Sequence, residues 1–352
     1  MTIYLVLLAL LFLSGYWQSN NKLLSYISMG LFLAVSMFRA ETVGLDTYNY
    51  MHVGSDYVGS GIKAHEFVFY FVVKLMPILG NRFVIIFFSL VTFISIFLAS
   101  RRFNVRAEWA FFFFVIFVQF NLSLNIARQF AAVGLLLLAY SFLYEDGRKK
   151  RLMFFLLSFI ATGIHSAAWV FPIAYAIRFL NIRKMKPSHL YILIVFIYLL
   201  VTYLSNSFFV EWANAFALFD DIEVYSKYFE QTELRKNASL GNQILNYGML
   251  AINLWVAIHL LTAEAKDEKL VANLFFVAVF ADLFFSNLYG NLGRTRYCFT
   301  IINIIAYALY FRDMYDRKKL LMLLAVIVFF GYNYYYSLSN TAYGTVPYNF
   351  DF

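Results

Sequence analysis

Four arginines stand beside apolar stretches of this chain: Arg39, Arg128, Arg294 and Arg296. A guanidinium matches phosphate oxygens in a two-pronged hydrogen-bonding geometry and stays charged at any physiological pH. Several of them at one membrane boundary suit a pyrophosphate whose lipid tail lies between helices. A histidine or a carboxylate close by would serve as general base toward a hydroxyl nucleophile. His165, in a Gly-Ile-His-Ser turn, and Asp46 are the candidates for that role.

Each residue also has a plainer reading. A lone arginine at a membrane edge can snorkel to lipid headgroups. His165 can simply cap the helix that follows it. Asn121 and Asn125, four residues apart, share a helix face and suit interhelical hydrogen bonding. Arg128 presses harder for an explanation. It lies beside Gln129, about one turn inside an otherwise apolar stretch, where an unpaired charge costs at least ~2.5 kcal/mol on insertion scales. Asp282, inside a later apolar stretch, is its natural counter-ion, so a structural ion pair stands beside the binding reading.

The elements that must position these residues follow from composition. The chain has 352 residues, 62% of them hydrophobic and only 14% charged. Soluble domains carry about 25% charged residues, and no globular core of this size hides so much apolar surface. A polytopic, all-α membrane protein is expected, forming one domain over 1–352. Its 42 Phe and 27 Tyr suit lipid contact and interfacial belts. The single Cys298 excludes an internal disulfide and cysteine-rich metal sites.

Apolar stretches fall at about 2–16, 24–38, 82–100, 108–123, 124–144, 152–163, 164–180, 189–206, 243–262, 269–288, 295–311 and 319–336. The first has no basic n-region and no small-residue cleavage site, so it is expected to be a span and not a removed signal. The segment Glu66–Gly80 is apolar but contains Lys74 and Pro77. Treating it as interfacial or re-entrant puts 18 basic against 8 acidic residues on the inner side and 10 against 12 outside, as the positive-inside rule prefers. The expectation is about 12 spans, both termini outside, and two long extracytoplasmic loops at about 39–80 and 207–242. The second mixes acids and aromatics, suiting amphipathic surface helices and contact with a glycan. The net charge of +8 is absorbed by this topology and gives no reason to expect nucleic acid. All the candidate residues fall on the outer side, although they come from four separate stretches.

No Walker A motif, dinucleotide loop, His-Glu-x-x-His or Cys cluster is present, so neither a cofactor nor a metal is expected. The candidate residues carry a family resemblance. Arg39 with Gly44-Leu-Asp46-Thr47 and Tyr50, Asn125-Ile-Ala-Arg128-Gln129 with Ala132, Gly163-Ile-His165-Ser166-Ala167, and Arg294-Thr-Arg296-Tyr297 occur in that order over about residues 30–300. This ordered set resembles the EpsG/Wzy family of bacterial polysaccharide polymerases.

The resemblance implies a C-type glycosyltransferase-like architecture in the bacterial inner membrane, with its site on the periplasmic face. It implies undecaprenyl-pyrophosphate-linked oligosaccharides as donor and acceptor, no nucleotide sugar, and a chain-length regulator as a possible partner. O-antigen, capsule or exopolysaccharide would be the product. On this reading Arg128 and Arg294, then Arg39 and Arg296, clamp the pyrophosphate, His165 or else Asp46 is the base, and Asn125, Gln129, Asp282 and Tyr297 support them. An O-antigen ligase-like transferase and a lipid-linked oligosaccharide flippase are the alternatives. A flippase should carry charged residues at several depths along a passage, whereas these gather at one face.

Overall fold

The computed structural model describes residues 1–17, 22–53, 66–180, 182, 196, 240–261, 266–285, 293–312, 317–341 and 343–351. Among these residues the named elements are all helical: α1 (Thr2–Tyr16), α2 (Lys22–Met37), α3 (Thr47–Met51), α4 (Phe67–Leu79), α5 (Phe83–Arg102), α6 (Ala107–Ile116), α7 (Gln119–Asn125), α8 (Ala127–Tyr140), α9 (Arg148–Ile164), a 3-10 turn (Ser166–Val170), α10 (Phe171–Ile177), α11 (Leu240–Leu261), α12 (Lys266–Phe285), α13 (Arg296–Thr300), α14 (Asn303–Tyr310) and α15 (Arg317–Ser339). One isolated β-bridge joins Arg39 to Phe350.

The expected span count is not reached among the described residues. Three of their helices are long and apolar enough to cross a membrane: Phe83–Arg102, Ile244–Leu261 and Lys318–Ser339. The bent pair α6–α7 adds a fourth if it counts as one span. Other apolar helices, α1 and α2 among them, are 10–17 residues long, under the ~20 residues that a straight crossing of hydrocarbon takes. The stretch 189–206 and the loop 207–242 lie almost wholly outside the described residues.

The core is built from aromatics as well as aliphatics. Every residue of α6 except Glu108 is buried. Phe111 meets Phe32 at 4.7 Å between ring centroids, Phe113 meets Tyr307 at 5.3 Å and Phe114 meets Phe130 at 5.7 Å. Many phenylalanines therefore pack inside, where composition had suggested lipid contact. In the α15 aromatic run, Tyr332, Tyr335 and Tyr336 are exposed while Tyr334 is buried. Against α8, α5 packs closely: a Cβ on Gly134 would lie 3.4 Å from Ser95 Cβ and Thr92 Cα, the small-residue contact that draws membrane helices together.

Two features shape the site, and the first departs from the sequence reading. The spans expected at 108–123 and 124–144 are in fact three pieces. Val118 adopts a left-handed backbone (φ 66°), α6 and α7 meet at 74°, and the chain breaks again at Ile126 before α8. A β-branched residue with positive φ is an uncommon and costly conformation. Here it turns the polar segment 119–129 across the end of the bundle.

The second is α4, in the segment expected to be interfacial or re-entrant. Its 13 residues span about 20 Å, too little to cross. Its entry residue Glu66 bonds Arg128, and Arg82, just beyond its exit, donates to the Arg39 carbonyl and pairs with Asp351. Both ends of α4 thus join the same end of the bundle. The opposite end gathers the basic turns: Arg102 and Lys150 each reach Glu145 at 2.6 Å, and Arg178 reaches Asp146 at 2.8 Å.

The C-terminal segment straps the loop after α2. Gly44 N–H donates to the Gly344 carbonyl (2.8 Å), Ala40 N–H to Asn349 (2.9 Å) and Asp351 N–H to Phe38 (2.9 Å). Tyr348 Oη donates to the Val35 carbonyl at 2.8 Å, and Asn121 Nδ2 to Thr345 Oγ1 at 3.0 Å. Truncation after Asn340 removes all of these and exposes the partners. The expected result is a protein still recovered from membranes but with its thermal midpoint lowered and no activity, read by detergent-phase unfolding and by glycan length.

Candidate functional site

The site begins with Gly44. Its φ of 89° is open to glycine, and an added Cβ would lie 2.6 Å from the Leu124 carbonyl oxygen. This close approach lays the loop onto α7. Thr47 Oγ1 lies 2.6 Å from the Val43 carbonyl and 3.2 Å from that of Leu124, and Arg39 Nε donates to it at 3.2 Å. Asn125 Oδ1 accepts the Asp46 N–H at 3.1 Å. Asp46 is thereby held at the start of α3 by its own backbone, leaving its carboxylate free for other work.

Arg128, in the first turn of α8, points back to α4. Its Nη1 donates to Glu66 Oε2 at 2.8 Å, and its guanidinium lies 4.3 Å from the centre of the Phe69 ring. Glu66 is only 4% exposed and its other oxygen accepts the Ser166 N–H at 3.0 Å. The carboxylate therefore ties three segments together: α4, α8 and the turn after α9. The expected counter-ion is corrected here. Asp282 pairs with Arg296 at 3.6 Å, and Glu66, which sequence reasoning treated only as a boundary, neutralises Arg128. Gly163 packs flush on Phe67, where an added Cβ would lie 2.5 Å from the ring.

Gln129, next along α8, donates from Nε2 to the Arg294 carbonyl at 2.9 Å. Asn125 and Gln129 thus act on the backbones of two other candidates. The Arg294 side chain is exposed and has no hydrogen-bond or ion-pair partner among the described residues.

Three of the four sequence stretches, those of Arg39 and Asp46, of Arg128 and of Arg294, meet at Tyr50, which was not among the expected site residues. Burial raises its hydroxyl's pKa, and the charges of Arg128, Asp46, Arg294 and Arg39 all act on it. Burial likewise raises the Asp46 carboxyl above its ordinary 3.8, against the pull of Arg294 and Arg128. A raised carboxylate beside two guanidiniums is a stronger base than a solvated one and still ionises. Three guanidiniums against Glu66 and Asp46 leave the cluster net positive.

Two expected residues sit differently. Arg39 is 1% exposed, with its Nε on Thr47 and Nη1 on the Ser36 carbonyl. It offers no surface to a ligand and acts on the site through its charge and through Thr47. His165 caps the 3-10 turn: its Nδ1 accepts the Ala167 N–H at 3.1 Å. The Nδ1 lone pair is thereby engaged by the backbone. The helix-capping alternative is the one observed.

No curated protein and no solved structure matches this chain. The EpsG family model matches residues 22–350, a stretch that runs from the first residue of α2 through the Arg39, Asp46, Arg128, His165 and Arg294 segments to Phe350, whose bridge pins Arg39. With nearly its whole length and every segment of the site inside that match, this chain belongs to the EpsG family.

Proposed function

We propose that this membrane protein polymerises polysaccharide repeat units carried on undecaprenyl pyrophosphate, on the outer face of the bacterial inner membrane. The observation that carries the reading is the convergence on Tyr50 of Arg39 and Asp46, from its own stretch, with Arg128 and Arg294 from two distant ones, at one end of a helical bundle. Membership of the EpsG family supports the same reaction class.

In this mechanism Arg128 and Arg294 hold the donor pyrophosphate. A sugar hydroxyl of the incoming lipid-linked unit attacks the anomeric carbon of the growing glycan. The carbon–oxygen bond to the pyrophosphate breaks and its electron pair leaves with the pyrophosphate, where the guanidiniums stabilise the growing charge. The hydroxyl proton passes to Asp46. His165, its Nδ1 committed to the cap, positions the Ser166–Glu66–Arg128 chain instead of serving as base. Glycan length in a strain lacking its own copy tests the function: wild type should restore a ladder, and lipid-linked repeats that pile up without it, with the ladder unaffected by the wild-type gene, would point to a flippase or ligase.

Asp46 gives this mechanism a pH signature. Because the base must be ionised, turnover should fall on acidification at a higher pH than an ordinary carboxylate would give. Asp46→Asn should remove that acid limb and lower turnover about 10²–10⁴-fold. The stability effect has the opposite sign. A carboxyl with a raised folded pKa binds protons better folded than unfolded, so its contribution is fully present below 3.8 and is lost as pH rises through the raised value. Asp46→Asn is expected to melt no lower than wild type at neutral pH.

A further inference from the structure

Beside the pyrophosphate cluster lies a second group of polar side chains. Asp282, near the end of α12, stands 3.6 Å from Arg296 Nη1 on α13. Arg296 Nη2 donates to the Tyr297 hydroxyl at 3.2 Å, and its guanidinium lies 5.0 Å from the centre of that ring. Tyr343, from the C-terminal segment, stands within range of the same charge.

This group differs from the Glu66–Arg128 pair in ways that matter. A structural ion pair that pins two helices is tight and enclosed, as that pair is. Here the Asp282 side chain is 50% exposed and the Arg296 side chain 31%, and the separation exceeds a normal hydrogen bond. Among the described residues, no partner beyond this pair and Tyr297 takes up the hydrogen-bonding capacity of either group. The neighbouring carboxylate also makes Arg296 a poorer phosphate ligand than Arg294, which carries no such partner among the described residues. An exposed carboxylate that accepts, a guanidinium that donates and a phenol that does both is a set suited to sugar hydroxyls.

Position supports the same assignment. Consecutive residues at the start of α8 touch both groups: Arg128 belongs to the first, Gln129 holds the Arg294 carbonyl, and the Phe130 ring packs 5.5 Å from that of Tyr297. The Glu268–Arg312 pair ties the other end of α12 to the chain beyond α14, so Asp282 lies toward the end of the bundle that carries the pyrophosphate cluster. We infer that Asp282, Arg296 and Tyr297 form a glycan subsite that grips the sugar next to the bound pyrophosphate. This inference rests on the polymerase reading above.

The test is binding to the full-length protein in nanodiscs, with two probes: sugar-free undecaprenyl pyrophosphate, and the lipid-linked repeat extracted from a host lacking the protein. Wild type should bind the repeat more tightly than the sugar-free lipid. Asp282→Asn should weaken the repeat about tenfold, the size of a lost charge-assisted hydrogen bond, and leave the sugar-free lipid unchanged. Tyr297→Phe, which removes a single hydroxyl and keeps the Phe130 contact, should act in the same direction and carries the test if Asp282→Asn is not recovered. Arg128→Met paired with Glu66→Gln should weaken both probes. Equal loss of both probes in Asp282→Asn, or no loss of either, overturns the subsite and leaves a structural ion pair. Wild type that binds neither probe overturns the polymerase reading itself.

Discussion

Arg128→Ala should reduce a glycan ladder to single capped repeats, and it should also lower the amount of protein in the membrane. Both effects follow from one ion pair. Removing the guanidinium takes a charge-stabilising donor from the departing pyrophosphate, worth about 10²–10³ in turnover. It also leaves Glu66, 4% exposed, without its cation, and breaking a buried pair from one side costs about 3–5 kcal/mol.

The double variant Glu66→Gln/Arg128→Met separates the two. Replacing both members of a buried pair is often neutral for stability, and Met can occupy the space over the Phe69 ring. The amide oxygen of the introduced glutamine can still accept from the Ser166 N–H. Membrane level should return while the ladder stays absent. A double variant that polymerises normally would reduce Arg128 to a structural role. Glu66→Gln alone should preserve level better than Arg128→Ala, since the guanidinium is less enclosed than the carboxylate.

Gly44→Ala should abolish activity while Gly80→Ala does not. Both glycines have a positive φ, 89° and 86°, so alanine carries a backbone penalty of about 1–3 kcal/mol at each. What differs is the neighbour. A Cβ at Gly80 meets nothing within 4 Å, whereas at Gly44 it would lie 2.6 Å from the Leu124 carbonyl oxygen and 3.0 Å from Thr47 Oγ1. The loop must lift off α7, taking Asp46 from the Asn125 side chain that holds its backbone. A displacement of the order of 1 Å in a positioned group costs about 10² in rate. Thermal unfolding should show a modest loss for Gly80→Ala and a larger one for Gly44→Ala. Equal effects on both unfolding and glycan length would show that the Leu124 contact carries no positioning role.

Much of the site was legible because charge in an apolar chain is rare enough to mark it. Arg39, Asp46, Arg128 and Arg294 stand out from their surroundings, and the positive-inside rule put them together without reference to contacts. Their partners were not legible. Glu66 sits 62 residues from Arg128, and no local pattern tells which of several carboxylates will neutralise a given arginine. Depth along a span favoured Asp282, but the fold gave that residue to Arg296. The 74° turn at Phe117–Val118 was hidden for a different reason. Neither glycine nor proline marks it, and a valine with positive φ is held there by tertiary packing against local preference. Missing that turn kept α7 on the wrong path. The C-terminal strap was invisible because its contacts are largely backbone to backbone, between segments some 300 residues apart. His165 was correctly placed in its turn, yet which ring nitrogen the cap would use depends on a rotamer that sequence does not encode.

The central claim is tested most directly by reconstitution. Purified full-length protein in nanodiscs is given a labelled lipid-linked repeat unit, with no nucleotide sugar and no ATP. The predicted result is a ladder of glycans, with one undecaprenyl pyrophosphate released per new linkage and both lost in Glu66→Gln/Arg128→Met. A glycan that stays one repeat long while the wild-type protein binds or moves its lipid carrier would contradict polymerisation at this site.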